Sequence, residues 1–216
     1  MNNRLDNFTV GYVLAGGASR RFGTDKALVE LGGKPMLARM LGLVDYAVSR
    51  QELTCKALVI GAAEKYDTVW TLCVEDRWPG EGPLGGIVTA LLHTRENTPE
   101  SEWNLIVSCD MPFLTADWLR YTVERALKSE TQVVFAHSEQ GPEPLCACWR
   151  TDAVETLQAA FERGVRKVTE GISLLRAEVL DEGDWKRFDS AGRLFWNMNT
   201  AADYAEAQRI VEAEHG

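Results

Sequence analysis

The sequence predicts an α/β protein with three layers, in which a mostly parallel β-sheet is flanked by helices on both faces. Short runs rich in apolar and β-branched residues alternate along the chain with longer amphipathic runs, a pattern typical of parallel strands joined by helices. Glycine, proline or aspartate follows several of the short runs, as expected where a strand turns into a helix. The chain has no internal repeat and no linker-like tract, which predicts a single domain over residues 1–216.

The predicted strands are short and apolar. They cover residues 9–15, 56–62, 71–76, 103–110, 132–138 and 144–150. Apolar runs of this length are typical of strands that are buried between two helical layers.

The predicted helices are the longer amphipathic runs. They cover residues 35–48, 83–95, 115–129, 152–164 and 200–214. Two of them open with a proline, whose missing N–H would have no partner in the first turn of a helix anyway. Thr115 or Asp117 suits the cap of the third helix, and Asn199 or Thr200 suits the cap of the last.

The composition is that of an ordinary globular protein. Apolar residues make up 45% and charged residues 25% of a 216-residue chain, which can bury a sizeable core. No apolar run approaches the roughly 20 residues of a membrane span, and the segment MNNRLDNF lacks the apolar stretch of a secretory signal. Five cysteines without CxxC spacing argue against a disulfide framework. We therefore expect a soluble cytoplasmic protein without a membrane partner.

Positive charge is concentrated after the first predicted strand, where the chain reads AGGASRRFGTDK. Gly16 and Gly17 let the backbone approach a ligand closely, and consecutive N–H groups in such a turn can bind an anion. Arg20, Arg21 and Lys26 add cations that suit phosphate oxygens. These cations stand out in a chain of net charge −9, which disfavours binding to nucleic acid.

We predict that this loop binds a phosphorylated ligand; the alternative is a tight turn with solvated cations. The loop matches neither the Walker A pattern nor the G-x-G-x-x-G dinucleotide fingerprint.

Acidic and amide side chains follow other predicted strands. In a parallel sheet the ligand crevice lies beyond the carboxyl ends of the strands, which is where Asp76 and Asp110 stand. Magnesium is held by one or two carboxylates together with substrate phosphates and water, so Asp110 and the cationic loop predict a phosphate ester bridged by Mg²⁺. The alternative is that both aspartates only cap turns. Asn197 and Asn199 could contact a ligand or a metal, or cap the last helix.

Five segments in this order resemble the molybdenum cofactor guanylyltransferases, within the wider family of Rossmann-like nucleotidyltransferases. The segments are LAGGASRRFGTDKALVELGGKPML (14–37), EDRWPGEGPLGGI (75–87), CDMPFL (109–114), EPLCACWR (143–150) and NMNTAADY (197–204). The resemblance implies transfer of GMP from GTP to the phosphate of molybdopterin, with Mg²⁺ and with release of pyrophosphate. It also implies transient contacts with proteins that supply or accept the cofactor.

The resemblance also implies roles for individual residues. Its nucleotide contacts correspond to Leu14, Ala15, Gly16, Lys26 and Asp76. Among the family's functional positions, Lys26 matches the phosphate-binding lysine and Asp110 the metal ligand. Asn197 and Asn199 match a pair that contacts either the pterin substrate or the metal. We expect Lys26 and one or both of Arg20 and Arg21 to stabilise the phosphates during in-line transfer, while Asp110 holds the Mg²⁺ that neutralises their charge.

Gly17 favours GTP as the nucleotide, because related cytidylyltransferases that act on the same pterin tend to carry an LAAG-type loop. The chain departs from the family at Phe22, where many members have methionine, and at Gly61, which replaces an asparagine expected to contact the base. The alternatives are a cytidylyltransferase for the same pterin or a sugar-1-phosphate nucleotidyltransferase. A non-catalytic nucleotide-binding partner in cofactor delivery and a scaffold that binds no nucleotide are the alternatives without catalysis.

Overall fold

The structure, a computed structural model, describes residues 8–16, 25–49, 57–66 and 72–215. Its strands are β1 (Thr9–Leu14), β2 (Glu30–Leu31), β3 (Lys34–Pro35), β4 (Leu58–Gly61), β5 (Cys73–Glu75), β6 (Trp103–Ser108), β7 (Val133–Ser138), β8 (Gly141–Arg150) and β9 (Ala177–Leu180). Its helices are α1 (Met36–Val48), α2 (Ala63–Tyr66), α3 (Pro83–Asn97), α4 (Ala116–Ala126), α5 (Ala153–Glu162), α6 (Val168–Ile172), α7 (Glu182–Trp185) and α8 (Ala201–His215). Short 3₁₀ helices cover Lys26–Leu28 and Lys186–Phe188.

A seven-stranded sheet forms the centre of the protein, in the order β5-β4-β1-β6-β8-β7-β9. Strand β1 pairs in parallel with β4 and β6, β4 pairs in parallel with β5, and β7 pairs in parallel with β9. Strand β8 runs antiparallel to both β6 and β7. The predicted fold class, an α/β protein with a mostly parallel sheet, is therefore confirmed.

Helices cover both faces of this sheet. Successive residues of a strand point to opposite faces, so Val13 packs in a core with residues of α1, α4 and α8. Its neighbour Tyr12 packs in a second core with residues of α3, α5 and α6. Both side chains are fully buried, and burying one large apolar side chain typically stabilises a fold by about 1.5–3 kcal/mol. The predicted three layers are confirmed. Within the described ranges, no helix is long and apolar enough to cross a membrane.

Several elements differ from their predicted extents. Strand β8 begins at Gly141, three residues before its predicted start, because it forms a hairpin with β7 in which Ser138 pairs with Gly141. Helix α6, strand β9 and helix α7 were not predicted at all. Strand β9 is half exposed and is held by parallel pairing with β7, so its short sequence lacks the apolar run of a buried strand.

The carboxyl ends of β5, β4, β1 and β6 lie along one edge of the sheet, because these four strands are parallel neighbours. The segment before α8 returns to the same edge, where the N–H of Met198 donates a hydrogen bond to the carbonyl oxygen of Asp110 at 2.8 Å. The fold therefore brings the end of the chain to the ends of the central strands.

Candidate functional site

Lys26, Asp110 and Asn199 meet at this edge. The ammonium group Nζ of Lys26 donates a hydrogen bond to Oδ1 of Asn199 at 2.9 Å and lies 3.4 Å from Oδ2 of Asp110. The side chains of Lys26 and Asp110 are 15% and 19% exposed, so both remain accessible to a ligand. The site therefore combines one cation, one carboxylate and one carboxamide at the ends of β1 and β6.

The Asp110 carboxylate is held in a defined orientation. Strand β6 ends at Ser108, whose hydroxyl donates to Oδ1 of Asp110 at 2.6 Å, while Oδ2 faces Lys26. The N–H of Cys109 donates to the carbonyl oxygen of Leu14 at 3.2 Å, which ties the turn to the end of β1. Hydrogen bonds to a carboxylate are stronger than those between neutral groups, so they fix the direction in which this group faces a ligand.

The two ends of the cationic loop are joined by Tyr66, the last residue of α2. Its hydroxyl lies 2.9 Å from the carbonyl oxygen of Ala15 and 3.2 Å from Oδ2 of Asp25, and it donates its one proton to either acceptor. Burial, and then the negative charge of Asp25, raise the pKa of Tyr66 above its ordinary value, so the hydroxyl keeps that proton. Asp25 also accepts from the N–H of Ala27 at 3.1 Å and thereby caps the short helix that begins at Lys26.

Gly61 is required beneath this arrangement. A Cβ atom at residue 61 would lie 2.3 Å from the carbonyl oxygen of Ala15 and 2.7 Å from the ring of Tyr66. Both distances are far below van der Waals contact, so a larger residue would displace the start of the loop. This close approach explains why position 61 of this chain requires a residue without a side chain.

One carboxylate is too few to hold a divalent metal without other ligands. Among the described residues, no group of three or more histidine, cysteine, aspartate or glutamate side chains could bind a metal ion. Magnesium, however, is commonly bound by one or two carboxylates plus phosphate oxygens and water. The Asp110 carboxylate is a ligand of the type that Mg²⁺ prefers, and its 19% exposure leaves it accessible, so it fits an ion that arrives with a phosphorylated substrate.

Comparison with known proteins identifies the class of enzyme. The family model described as the MobA-like NTP transferase domain matches residues 11–178. The chain belongs to the MobA-like NTP transferase family. It is therefore a nucleotidyltransferase, and the resemblance stated from the sequence is confirmed.

Relatives of this MobA-like transferase align over nearly its whole length. The molybdenum cofactor guanylyltransferase of Rhizobium johnstonii is 32% identical over 206 residues, which cover 94% of this chain and 93% of that protein. A probable molybdenum cofactor guanylyltransferase from Pelotomaculum thermopropionicum is 29% identical over 203 residues, with 94% and 93% covered. The crystal structure of molybdopterin-guanine dinucleotide biosynthesis protein A from Archaeoglobus fulgidus has a TM-score of 0.78, 24% identity, and 95% and 100% of the two chains covered. This last likeness supports the fold.

The structure describes only the beginning and the end of the cationic loop of this MobA-like transferase. Leu14 and Ala15 are buried, and the N–H of Ala15 donates to the carbonyl oxygen of Ile60 at 2.9 Å. Gly16 is exposed, and a Cβ built on it would meet no atom within 4 Å. The backbone at Gly16 therefore has room for a ligand. The predicted ligand-binding residues Gly17, Arg20 and Arg21 lie outside the described residues.

Asp76 lies at the same sheet edge but apart from the other predicted residues. It follows β5, three strand positions from β6, which corresponds to about 14 Å at the usual strand spacing. Its Oδ1 accepts from the N–H of Trp78 at 3.0 Å and from the hydroxyl of Thr89 at 3.1 Å. These contacts connect the end of β5 to α3, and the role of Asp76 in binding the nucleotide stays a prediction.

The predicted asparagine pair is divided between two places. Asn199 contacts Lys26, whereas Asn197 donates to the carbonyl oxygen of Phe195 at 3.1 Å and lines a cleft of about 520 Å³. Other residues that line this cleft include Gly82, Met111, Leu145, Arg166 and Lys167. Of the two alternatives for the cap of the last helix, Thr200 is confirmed, because its hydroxyl accepts from the N–H of Asp203 at 3.2 Å.

Four residues that shape the site of this family member were not among the predicted site residues: Asp25, Tyr66, Ser108 and Asp203. Asp203 had a recognisable signal, because threonine followed three residues later by an acidic residue is typical of a capped helix start. Asp25 directly precedes Lys26, which would have justified considering it. Tyr66 had no local signal, since its two acceptors belong to other segments of the chain.

Proposed function

We propose that this protein transfers GMP from GTP to the terminal phosphate of molybdopterin and releases pyrophosphate. The observation that carries the proposal is the convergence of Lys26 and Asp110 at one sheet edge. This convergence occurs in a chain whose full-length relatives are named molybdenum cofactor guanylyltransferases. A cation beside a carboxylate suits a substrate with several phosphates and a bound divalent ion.

The triphosphate lies over Gly16 and Lys26 in this proposal. The guanosine extends from there across the ends of β1 and β4 toward Asp76, which follows the next strand of the sheet. The exposed backbone of Gly16 can approach the phosphates closely because it has no side chain. Asp110 would hold Mg²⁺, which, when bound, would neutralise charge on the nucleotide phosphates and on the leaving pyrophosphate.

The reaction needs no nucleophile from the protein, because the acceptor phosphate is already ionised. One of its oxygens forms a bond to the α-phosphorus of GTP, and the bond from that phosphorus to the oxygen bridging the β-phosphate breaks. Pyrophosphate leaves with the electron pair. Lys26 donates hydrogen bonds to the non-bridging oxygens, whose negative charge is shared over the transition state. The protein therefore contributes positioning and electrostatic stabilisation.

The cleft lined by Asn197 and Met111 is proposed to accept the pterin substrate. Its volume of about 520 Å³ lies within the usual range for small-molecule sites. Arg166 lies in its wall and is fixed there by an ion pair with Glu81 at 2.8 Å and by a hydrogen bond to the carbonyl oxygen of Phe161 at 2.7 Å. Arg166 keeps N–H donors that these contacts do not use, and Lys167 lies in the same wall. Both can donate hydrogen bonds to an anionic ligand such as a phosphorylated pterin.

The deciding experiment measures pyrophosphate release with each of the four nucleoside triphosphates, with and without molybdopterin. Release with GTP that requires molybdopterin supports the proposal. Release with CTP instead would indicate the cytidylyltransferase. A parallel set of reactions contains a sugar 1-phosphate in place of molybdopterin, and release only in that set would indicate a sugar-1-phosphate nucleotidyltransferase. Binding of GTP without release would indicate a non-catalytic partner, and no nucleotide binding would indicate a scaffold.

A pair of lysine variants tests the proposed role of Lys26. We expect Lys26→Met to lower the turnover rate by about 10²–10³-fold, as is usual for one lost transition-state donor. Lys186→Met is the matched control, because Lys186 pairs with Glu182 on α7 and has no role in the proposal. Equal rates in the two variants would remove Lys26 from the mechanism.

A further inference from the structure

We propose that Asp203, in the first turn of α8, positions Lys26 by holding Asn199. Within the part of the chain that the structure describes, Asp203 makes no hydrogen bond to Lys26. It contacts Asn199 instead, and is therefore a positioning residue. The functional half of this inference rests on the proposed role of Lys26 at the nucleotide phosphates. The structural half concerns the protein without nucleotide and can be tested separately.

Asp203 fixes the backbone immediately before α8. Its Oδ2 accepts hydrogen bonds from the N–H of Asn199 at 2.8 Å and from the N–H of Thr200 at 2.7 Å. The Thr200 hydroxyl accepts from the N–H of Asp203 at 3.2 Å in return, which is the reciprocal arrangement of a capping box. The N–H of Asn199, then that of Thr200, and nearby Lys26 lower the pKa of Asp203, so its carboxylate is ionised at neutral pH.

Asn199 connects the fixed backbone before α8 to the side chain of Lys26. Its side-chain oxygen accepts from Nζ of Lys26 at 2.9 Å, and the neighbouring Met198 is tied to the backbone of Asp110. A lysine ammonium carries three donors on a flexible stem, so without partners it would sample many positions. Asn199 and Asp110 together engage two of these donors, which leaves the third for a phosphate oxygen.

The capping carboxylate does more than hold the helix in place. Helix α8 is anchored independently by Ala207 and Val211, which are buried in the core, and by the hydroxyl of Tyr204, which donates to the carbonyl oxygen of Glu30 at 2.8 Å. Loss of the Asp203 carboxylate should therefore leave α8 docked, and its main effect should fall on residues 199 and 200, whose N–H groups lose their acceptor.

The first test measures how fast the Lys26 amine reacts with acetic anhydride in the nucleotide-free protein, by isotopic labelling and mass spectrometry. Lys167, which is 78% exposed, serves as the internal reference. We expect Asn199→Ala and Asp203→Ala each to raise the labelling of Lys26 at least threefold relative to Lys167, and Asp203→Glu to retain the wild-type rate because glutamate also completes a capping box.

Asp181→Ala is the matched control for this test. Asp181 caps α7 in the same reciprocal way, so its loss removes a capping carboxylate that has no contact with Asn199. The control should leave the labelling of Lys26 unchanged. An unchanged rate in Asp203→Ala, or the same increase in Asp181→Ala, would overturn the proposal.

The second test is a double-mutant cycle on the affinity for GTP with Mg²⁺. We expect Asp203→Ala to weaken binding about fivefold in the wild-type background, the effect of one impaired hydrogen bond, and less than twofold in the Lys26→Met background. A purely structural role of Asp203 would weaken binding equally in both backgrounds, which would refute the inference. If Lys26→Met binds GTP as tightly as the wild type, the proposed role of Lys26 at the phosphates is wrong, and so is the inferred effect of Asp203 on GTP binding. The labelling result still decides whether Asp203 positions Lys26 in the nucleotide-free protein.

Discussion

Replacing Tyr66 by phenylalanine would test whether the joined ends of the cationic loop matter for binding nucleotide. The substitution keeps the ring, which is buried with 2% exposure, and removes only the hydroxyl. That hydroxyl is within hydrogen-bond distance of the Ala15 carbonyl and the Asp25 carboxylate. Without the hydroxyl, the end of β1 is no longer linked to Asp25, which directly precedes Lys26.

The size of the effect follows from these contacts. Removing one partner of a buried hydrogen bond costs about 1–3 kcal/mol, and here the hydroxyl serves two acceptors with one proton. We expect the free energy of unfolding to fall by about 1–2 kcal/mol. If ordering the loop around the nucleotide then costs about 1–1.4 kcal/mol more than in the wild type, the affinity for GTP falls by about fivefold to tenfold, since 1.4 kcal/mol corresponds to tenfold.

Tyr12→Phe is the matched control. Tyr12 is also buried, and its hydroxyl is 2.7 Å from the Thr94 hydroxyl and 2.9 Å from Nδ1 of His93. Burial raises the pKa of Tyr12 to about 12. Its partners lie in the last turns of α3, at the opposite end of that helix from the site. Urea denaturation should show similar losses of stability in both variants, and calorimetric titration with GTP and Mg²⁺ should show weaker binding only in Tyr66→Phe. Equal GTP affinities in the two variants would refute the reasoning.

Three further substitutions have defined outcomes. Asp110→Asn should abolish Mg²⁺-dependent binding of GTP with the fold intact by circular dichroism, and an unchanged metal titration would contradict the assignment. Gly61→Ala should destabilise the protein by about 1–3 kcal/mol in urea denaturation because its methyl group overlaps the end of β1, whereas Gly42→Ala, which meets open space, should not. Burial alone would raise the pKa of Asp184, but the hydrogen bond from the Tyr121 hydroxyl and the charge of Arg125 lower it below its ordinary value. The Asp184 carboxylate therefore stabilises the fold above the ordinary aspartate pKa of about 3.9, and this stabilisation is lost as the pH falls through the folded value. Asp184→Asn should therefore reduce stability at pH 7 and flatten its dependence on pH between about 5 and 3, and an unaltered acid limb would contradict this.

Local patterns predicted the central part of the fold well. The positions of Gly16 and Asp110 just after apolar strands were enough to place both at one sheet edge, because the carboxyl ends of parallel strands share an edge. Strand β9 was missed because it is a half-exposed edge strand that depends on pairing with β7. The antiparallel direction of β8 likewise became evident only from its hydrogen-bonded partners.

The contacts within the site were less predictable than its members. Asn199 matched a pair of residues assigned to the pterin or the metal, but in the structure it accepts a hydrogen bond from Lys26, 173 positions away. Tyr66 was not considered because a tyrosine at the end of a four-residue helix has no distinctive pattern. Both cases depend on which segments meet in space.

The amino-acid sequence by itself determined the alternation of strands and helices, and with it the residues that stand at the strand ends, because backbone preference and apolar periodicity act over a few neighbouring residues. Only the tertiary structure decided that Tyr66 joins the two ends of the cationic loop and that Asn199 contacts Lys26 beside Asp110. Those contacts depend on the order of strands in the sheet and on the packing of both its faces, and these are properties of the whole chain.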